Sequence, residues 1–327
     1  MKRYLVTIFK VLIFFAVMLW VVWELNKSWG KMCEIEWRAN YYWLLFSGLF
    51  YFVGYIPAAM FWRYSMWSLG QRPGVYESLR AYYIGHLGKY VPGKMLVVFL
   101  RSYFLSRERT NRVVAAAAVF LETLTMMASG AFLSALIVLI WFRGMENGLW
   151  LMLLAVLMMI CAGLPVLPPI FRKLTAMIFR KLEKSGIEQS DPDIDRKLGG
   201  LSCRVMLVGW CLTILTWVLL GLSLWCVVNG VGVWTGVLWG EGCGVLARFI
   251  LAASFSVVLG FVLMMPGGIG VRDFVLAQVL IIYFAEKLDN DMTLATSYAI
   301  VVAGVQRLIS IIVELLAAGI MFAFKKR

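Results

Sequence analysis

A single histidine, His86, serves the whole chain of 327 residues. That scarcity removes most routes to acid–base catalysis near neutral pH and most nitrogen-ligated metal centres. Cysteine offers no more. The six, at positions 33, 161, 203, 211, 226 and 243, form no CxxC pair and no metal-ligand spacing. Cys161, Cys211 and Cys226 fall in apolar stretches and read as small packing residues, and a Cys33–Cys243 disulfide is left open. No GxSxG, HExxH or Asp-rich metal motif occurs. No metal and no cofactor is therefore expected. Charge is scarce as well, at 15% of residues, against about 25% in soluble domains.

What fills the chain is apolar: 62% of residues are hydrophobic and the mean hydropathy is +0.84. That describes a polytopic membrane protein rather than a soluble globule. The net charge of +13 then reads as topological, because basic loops face the cytoplasm. Nucleic acid is not an expected partner, since no basic helix or aromatic-basic module stands clear of the apolar segments. Lys2, Arg3 and Lys10 ahead of Val11 to Trp23 resemble a signal peptide, yet the apolar run is too long and no small-x-small site follows. A retained signal anchor is expected.

Six full spans are predicted, near Tyr4–Trp23, Tyr41–Trp62, Val113–Trp141, Leu149–Leu167, Val205–Val228 and Thr293–Phe324. Residues 171 to 204 between the fourth and fifth are polar. Phe171 to Leu182 repeats apolar and basic residues at helical spacing, as a helix on the membrane surface does, and Ser190 to Asp195 reads as a loop. Two further regions are broken by Pro-Gly. Val75 to Tyr90 and Met95 to Leu105 are each too short to cross and flank Pro92-Gly93; Leu246 to Met265 and Val271 to Ala285 flank Pro266-Gly267-Gly268-Ile269-Gly270. Proline removes a backbone donor and glycine opens φ, so both stretches are interruptions of regular helix. A re-entrant helical hairpin is the economical reading of the first; the second is read as a hairpin too, although its arms are long enough that two full crossings are conceivable.

With the N-terminus inside and both broken regions treated as hairpins, 21 of the 31 Lys and Arg residues fall inside and 6 outside, and Lys89, Lys94, Arg272 and Arg307 stay in the membrane region. That is a positive-inside pattern with both termini cytoplasmic. The expected fold is thus an all-α polytopic membrane protein. Its single integral domain contains two inverted-topology repeats, residues 1–147 and 148–327, with 171–204 cytoplasmic. Each repeat reads span, span, hairpin, span. Three crossings per repeat invert the second, and in such architectures broken segments meet near the midplane to form the substrate site.

The candidate chemistry lies in these breaks. Gly88-x4-Gly93-Lys94 has P-loop spacing, but Met95 stands where Ser or Thr would bind magnesium and no strand precedes it, which argues against a nucleotide. Glycines, helix N-termini and the cations Lys89 and Lys94 still suit a phosphate, although both lysines could instead snorkel to the interface. Arg272 and Asp273 are either an ion pair or a cation for a lipid phosphate with its balancing acid. Glu122, Arg307 and Glu314 lie inside spans and need partners, as structural pairs or in lipid binding or proton coupling. Arg307 and Glu314 share a helix face two turns apart. Tyr82, Tyr83, His86 and Tyr90 read as interfacial anchors.

Leu87-Gly88-Lys89-Tyr90-Val91-Pro92-Gly93-Lys94 followed by Arg101, and Met265-Pro266-Gly267-Gly268-Ile269-Gly270-Val271-Arg272-Asp273, resemble the two signature turns of the flippase-like membrane family typified by the transmembrane region of lysylphosphatidylglycerol synthase. The resemblance covers nearly the whole chain, with two departures. Asp273 stands where the family carries glutamate, and Glu122 is followed by Thr123 rather than arginine, so a Glu–Arg pair built from sequence neighbours is not expected. The resemblance implies a bacterial or archaeal plasma (inner) membrane protein that handles lipid. Because the sequence ends at Lys325-Lys326-Arg327 without a soluble aminoacyl-transferase domain, a stand-alone member is expected, and such relatives are associated with lipid or lipid-linked glycan pathways.

The resulting expectation is a lipid translocase or lipid-delivery protein, not an enzyme. Lys89, Lys94, Arg101 and Arg272 would bind an anionic phospholipid or polyprenyl-phosphate head group between the hairpins, with Glu122, Asp273, Arg307 and Glu314 as supporting charge. Gly88, Pro92, Gly93, Pro266, Gly267, Gly268 and Gly270 would shape the turns. The alternatives are a lipid-modifying transferase, with its donor near Arg107 to Arg112 and Glu122 or Asp273 as acid or base, and a scaffold for a glycosyltransferase. A lipid- or glycan-modifying enzyme as partner and a homo-oligomer remain open.

Overall fold

The structure is a computed structural model that describes residues 39–90, 95–105, 112–141, parts of 153–177, 200–231, 243–263 and 270–324. Eight α-helices have bounds there: α1 Tyr41–Ser68, α2 Val75–His86, α3 Met95–Leu105, α4 Arg112–Trp141, α5 Cys203–Gly230, α6 Cys243–Val262, α7 Val271–Lys287 and α8 Met292–Ala323. Short 3-10 turns cover Leu87–Tyr90 and Leu164–Val166. No strand occurs among the described residues. Five helical segments are long and apolar enough to cross a membrane: Tyr41–Ser68, Val114–Ile140, Cys203–Gly230, Gly244–Val262 and Met292–Ala323.

These segments match the second, third, fifth and sixth expected spans and add one. The arm expected from Leu246 to Met265 is α6, which at 20 residues has spanning length, while α7 has 17. α1 also outruns its expected end at Trp62. Its last turns are carried past the apolar stretch by Arg63, whose Nε donates to the Pro73 carbonyl at 3.1 Å and whose guanidinium lies 4.0 Å from the Trp67 ring centroid. The first expected span, Tyr4–Trp23, lies outside the described residues, as do Cys33 and the Ser190–Asp195 loop. The fourth span and the Phe171–Leu182 surface helix are described only in part.

The chain divides into two compact units. The first holds Met1–Phe52, Tyr90–Gly93 and Trp217–Val313; the second holds Val53–Lys89, Lys94–Thr216 and Glu314–Arg327. In the first, α6 and α7 pack together. Their core joins Leu224, Phe249, Leu276, Leu280 and Phe284 to Ala295, Ala299 and Val302 of α8. Small residues let helix backbones approach closely where lipid supplies no hydrophobic drive between helices. The opposite arrangement to a soluble helix holds on α8 as a whole. Leu308, Ile312, Leu315, Leu316 and Ile320 are exposed while Gln306 and Ser310 are buried, which suits an apolar surround.

In the second unit α2 and α3 form a helical hairpin that packs on α4 through α3. The pairing of Gly88 with Val97 and of Gly85 with Arg101 makes the arms antiparallel. Gly88 is where the arms nearly touch. A Cβ there would lie 2.6 Å from the Val97 amide nitrogen and 2.8 Å from the Leu96 carbonyl carbon, so any larger residue would spread the hairpin. α4 offers alanines at 115, 117, 118, 128, 131 and 135, all buried, by the same close-packing logic.

Candidate charged sites in the two units

The second unit contains a buried ionic cluster. Glu122 sits mid-helix on α4 and is 1% exposed. Its Oε2 accepts a hydrogen bond from Arg101 Nη1 of α3 at 2.7 Å, and its Oε1 accepts one from Tyr82 Oη of α2 at 2.9 Å. Thr123 Oγ1 adds a long contact at 3.4 Å. The Arg101 guanidinium lies over the Tyr82 ring, 3.8 Å from its centroid, and 5.7 Å from that of Trp62. Three helices are thereby tied by one carboxylate whose two oxygens are both used. A charge this deep is tolerable only when paired and hydrogen-bonded, and this one is both.

One turn beyond Tyr82 the pattern repeats with other residues. His86 stacks against Tyr82 and lies 4.5 Å from the Tyr55 ring centroid. Its Nε2 is 3.0 Å from Lys89 Nζ. Lys89 in turn forms an ion pair with Glu314 of α8, whose carboxylate is also 3.7 Å from His86 Nε2. Glu314 is 4% exposed and the Lys89 side chain 18%. α8 is held further along by two donors from α2. Arg80 Nε reaches the Met321 carbonyl at 2.9 Å, and Tyr76 Oη donates to the Phe324 carbonyl. These satisfy carbonyls that a helix end leaves without an internal partner.

The first unit holds the other motif. Gly270 has φ +82°, a conformation open to glycine and strained for other residues, and it begins α7. The Gly270 amide donates to Asp273 Oδ2 at 3.3 Å. Asp273 therefore caps the helix it belongs to, as an acid in a first turn does. Arg272 lines a small cavity with Gln306 and Ser256. The Arg307 guanidinium lies 5.7 Å from the Tyr90 ring centroid.

Several of these placements differ from what the sequence suggested. Tyr82 was expected as an interfacial anchor, but it is 1% exposed and donates to Glu122. Tyr82 and His86, both read from the sequence as anchors, join the charged clusters instead; a tyrosine one helical turn from the only histidine, beside an apolar run, was the available signal. Glu314 was weighed with Arg307 on the same helix face, and it meets Lys89. The Glu122 partner is Arg101, 21 residues away in sequence. Lys94, Pro92, Gly93, Pro266, Gly267 and Gly268 lie outside the described residues, so the turns themselves rest on Gly88 and Gly270. No group of three His, Cys, Asp or Glu with metal-site geometry occurs among the described residues.

Compared with curated proteins, the chain matches none. The family described as the lysylphosphatidylglycerol synthase TM region matches residues 7–318, which takes in both broken motifs and all eight helices up to the last turn of α8. Apolar helices of spanning length, paired charge inside them and that near-complete match lead to one conclusion: the chain is a multi-pass membrane protein belonging to the lysylphosphatidylglycerol synthase transmembrane-region family.

Proposed function

We propose that this protein moves or delivers lipid, as a flippase-like translocase, and recognises an anionic phospholipid or polyprenyl-phosphate head group through its intramembrane cations. The observation that carries the reading is the charge retained at near-complete burial in an otherwise apolar helical protein. Intramembrane ionisable residues are expensive and mark substrate paths. In the second unit the carboxylates of Glu122 and Glu314 stand where a phosphate would be welcome. Lys89, the more accessible of the two paired cations there, is the one whose counter-ion a head group would exchange. Arg272 of the first unit would contact a head group beside a neutral amide. The α2–α3 hairpin dips into the bilayer without crossing it, the two inverted repeats rock to alternate access, and the protein works without chemistry of its own, in a bacterial or archaeal plasma membrane.

The test is a reconstituted vesicle assay with labelled phospholipids and polyprenyl-phosphate lipids. Wild-type protein is expected to move an anionic lipid faster than protein-free vesicles, and Lys89→Ala, Lys94→Ala and Arg272→Ala are expected to slow it about tenfold or more, the loss of one charge-assisted contact. Equal movement of every lipid by wild type and all variants would sink the proposal. A new lipid species in mass spectra of expressing cells would favour a transferase in its place.

A further inference from the structure

A second polar string lies among the apolar helices of the first unit. Gln306 of α8 is 4% exposed. Its Nε2 donates to Ser223 Oγ of α5 at 3.4 Å, and Ser223 Oγ is 3.0 Å from Ser47 Oγ of α1. Amide and hydroxyls from three helices are thus strung together, with the amide nitrogen turned to Ser223. The other end of that amide, Oε1, is out of contact with solvent and has no hydrogen-bond partner among the described residues. Gln306 borders a cavity also lined by Arg272, Ser256, Tyr51 and Leu220. The space open to the centre of a water-sized sphere is ≈ 10 Å³, about what one ordered water needs.

The chemistry of the lining selects the occupant. A cation would face the Arg272 guanidinium at close range. An anion would face the Gln306 carbonyl-type oxygen, and an alkyl group would leave that oxygen without a donor. The species that suits both donates to one and accepts from the other. Arg272 has five N–H groups to offer, and water does both.

We propose that this cavity is a hydration site, where one water donates to Gln306 Oε1 and accepts from the Arg272 guanidinium, making Gln306 a positioning residue for Arg272. The hydration site stands on the geometry alone; its consequence for lipid rests on the reading of Arg272 as a head-group contact. Through the water, Arg272 would be tied to a neutral amide. Asp273, its sequence neighbour, is occupied with the Gly270 amide.

The full chain in lipid nanodiscs, imaged at a resolution that shows ordered water, tests the site. Wild type is expected to show one density peak within hydrogen-bond distance of Gln306 Oε1 and of Arg272, lost in Gln306→Leu and kept in Gln306→Glu. A dry cavity in wild type, or a peak unchanged in Gln306→Leu, would overturn the hydration site. The positioning role is read separately, as binding of an anionic phospholipid by native mass spectrometry. Gln306→Leu is expected to weaken it about tenfold, and Gln306→Glu, whose carboxylate would pair with Arg272, is expected not to restore it although the water is kept. Should Arg272→Ala weaken binding while Gln306→Leu does not, the positioning role falls and the lipid reading stands. If neither variant weakens it, the lipid role of Arg272 falls, and with it the function of the water. The density alone then decides the hydration site.

Discussion

Arg101 and Lys89 in the second unit each meet a carboxylate drawn from a distant part of the chain, 21 and 225 residues away. Arg272 in the first unit shares its cavity with the amide of Gln306, while the carboxylate next to it in sequence is turned to a backbone N–H. The same residue type is thus handled in two ways. A carboxylate with both oxygens bonded compensates a buried guanidinium and locks the helices that bring the two together. An amide beside a guanidinium contributes no opposite charge of its own. The second unit's Arg101 pair is accordingly expected to set stability, whereas the first unit's arginine is the one proposed to meet lipid.

The largest effect that would test this contrast is in the second unit. Glu122→Leu strands the Arg101 guanidinium in the interior and is expected to cost about 3–5 kcal/mol, whereas pairing it with Arg101→Met should recover most of that loss. Thermal unfolding of both variants in nanodiscs checks it, and an equal loss in single and double variants would break the contrast. Tyr82→Phe removes one neutral donor from the same carboxylate and should cost about 1.5–3 kcal/mol, with lipid movement unchanged once folded protein is matched. The smallest effect sharpens the first unit. Asp273→Ala should cost only about 0.5–1.5 kcal/mol, as the loss of a helix cap does. A loss of several kcal/mol would mean that Asp273 compensates Arg272 after all.

Much of this architecture was legible before any coordinates. Apolar length gave α1, α4, α5 and α8 to within a few residues, because a span must satisfy its backbone internally and advertises itself by its hydropathy. Gly88 and Gly270 were legible too, as breaks that only glycine and proline explain. Ion-pair partners were not. Arg307 and Glu314 share a face by helical arithmetic, but tertiary packing brings Lys89 to Glu314, and nothing in a one-dimensional reading ranks residue 89 above residue 307. Tyr82 went unread for a related reason. Tyrosine at a membrane interface and tyrosine buried against a carboxylate look alike in sequence, and only the arrival of α4 decides between them. α6 stays open between two readings, because an apolar run before a Pro-Gly turn fits a hairpin arm as well as a crossing, and its 20 residues suffice for either.

The contacts from α2 and Lys89 to the end of α8 also bear on the order in which the protein can be assembled. Tyr76, Arg80 and Lys89 find their partners at residues 324, 321 and 314, separated by 248, 241 and 225 positions. During synthesis from the N-terminus the hairpin exists long before α8 does. The Lys89 ammonium therefore waits without the Glu314 carboxylate until the last helix is in place, whereas the carbonyls at the end of α8 find the donors of α2 already made. Closure of the second unit is a late event of biogenesis, made by the final helix against the first hairpin. A chain stopped before residue 314 would leave the lysine with no Glu314 to meet it.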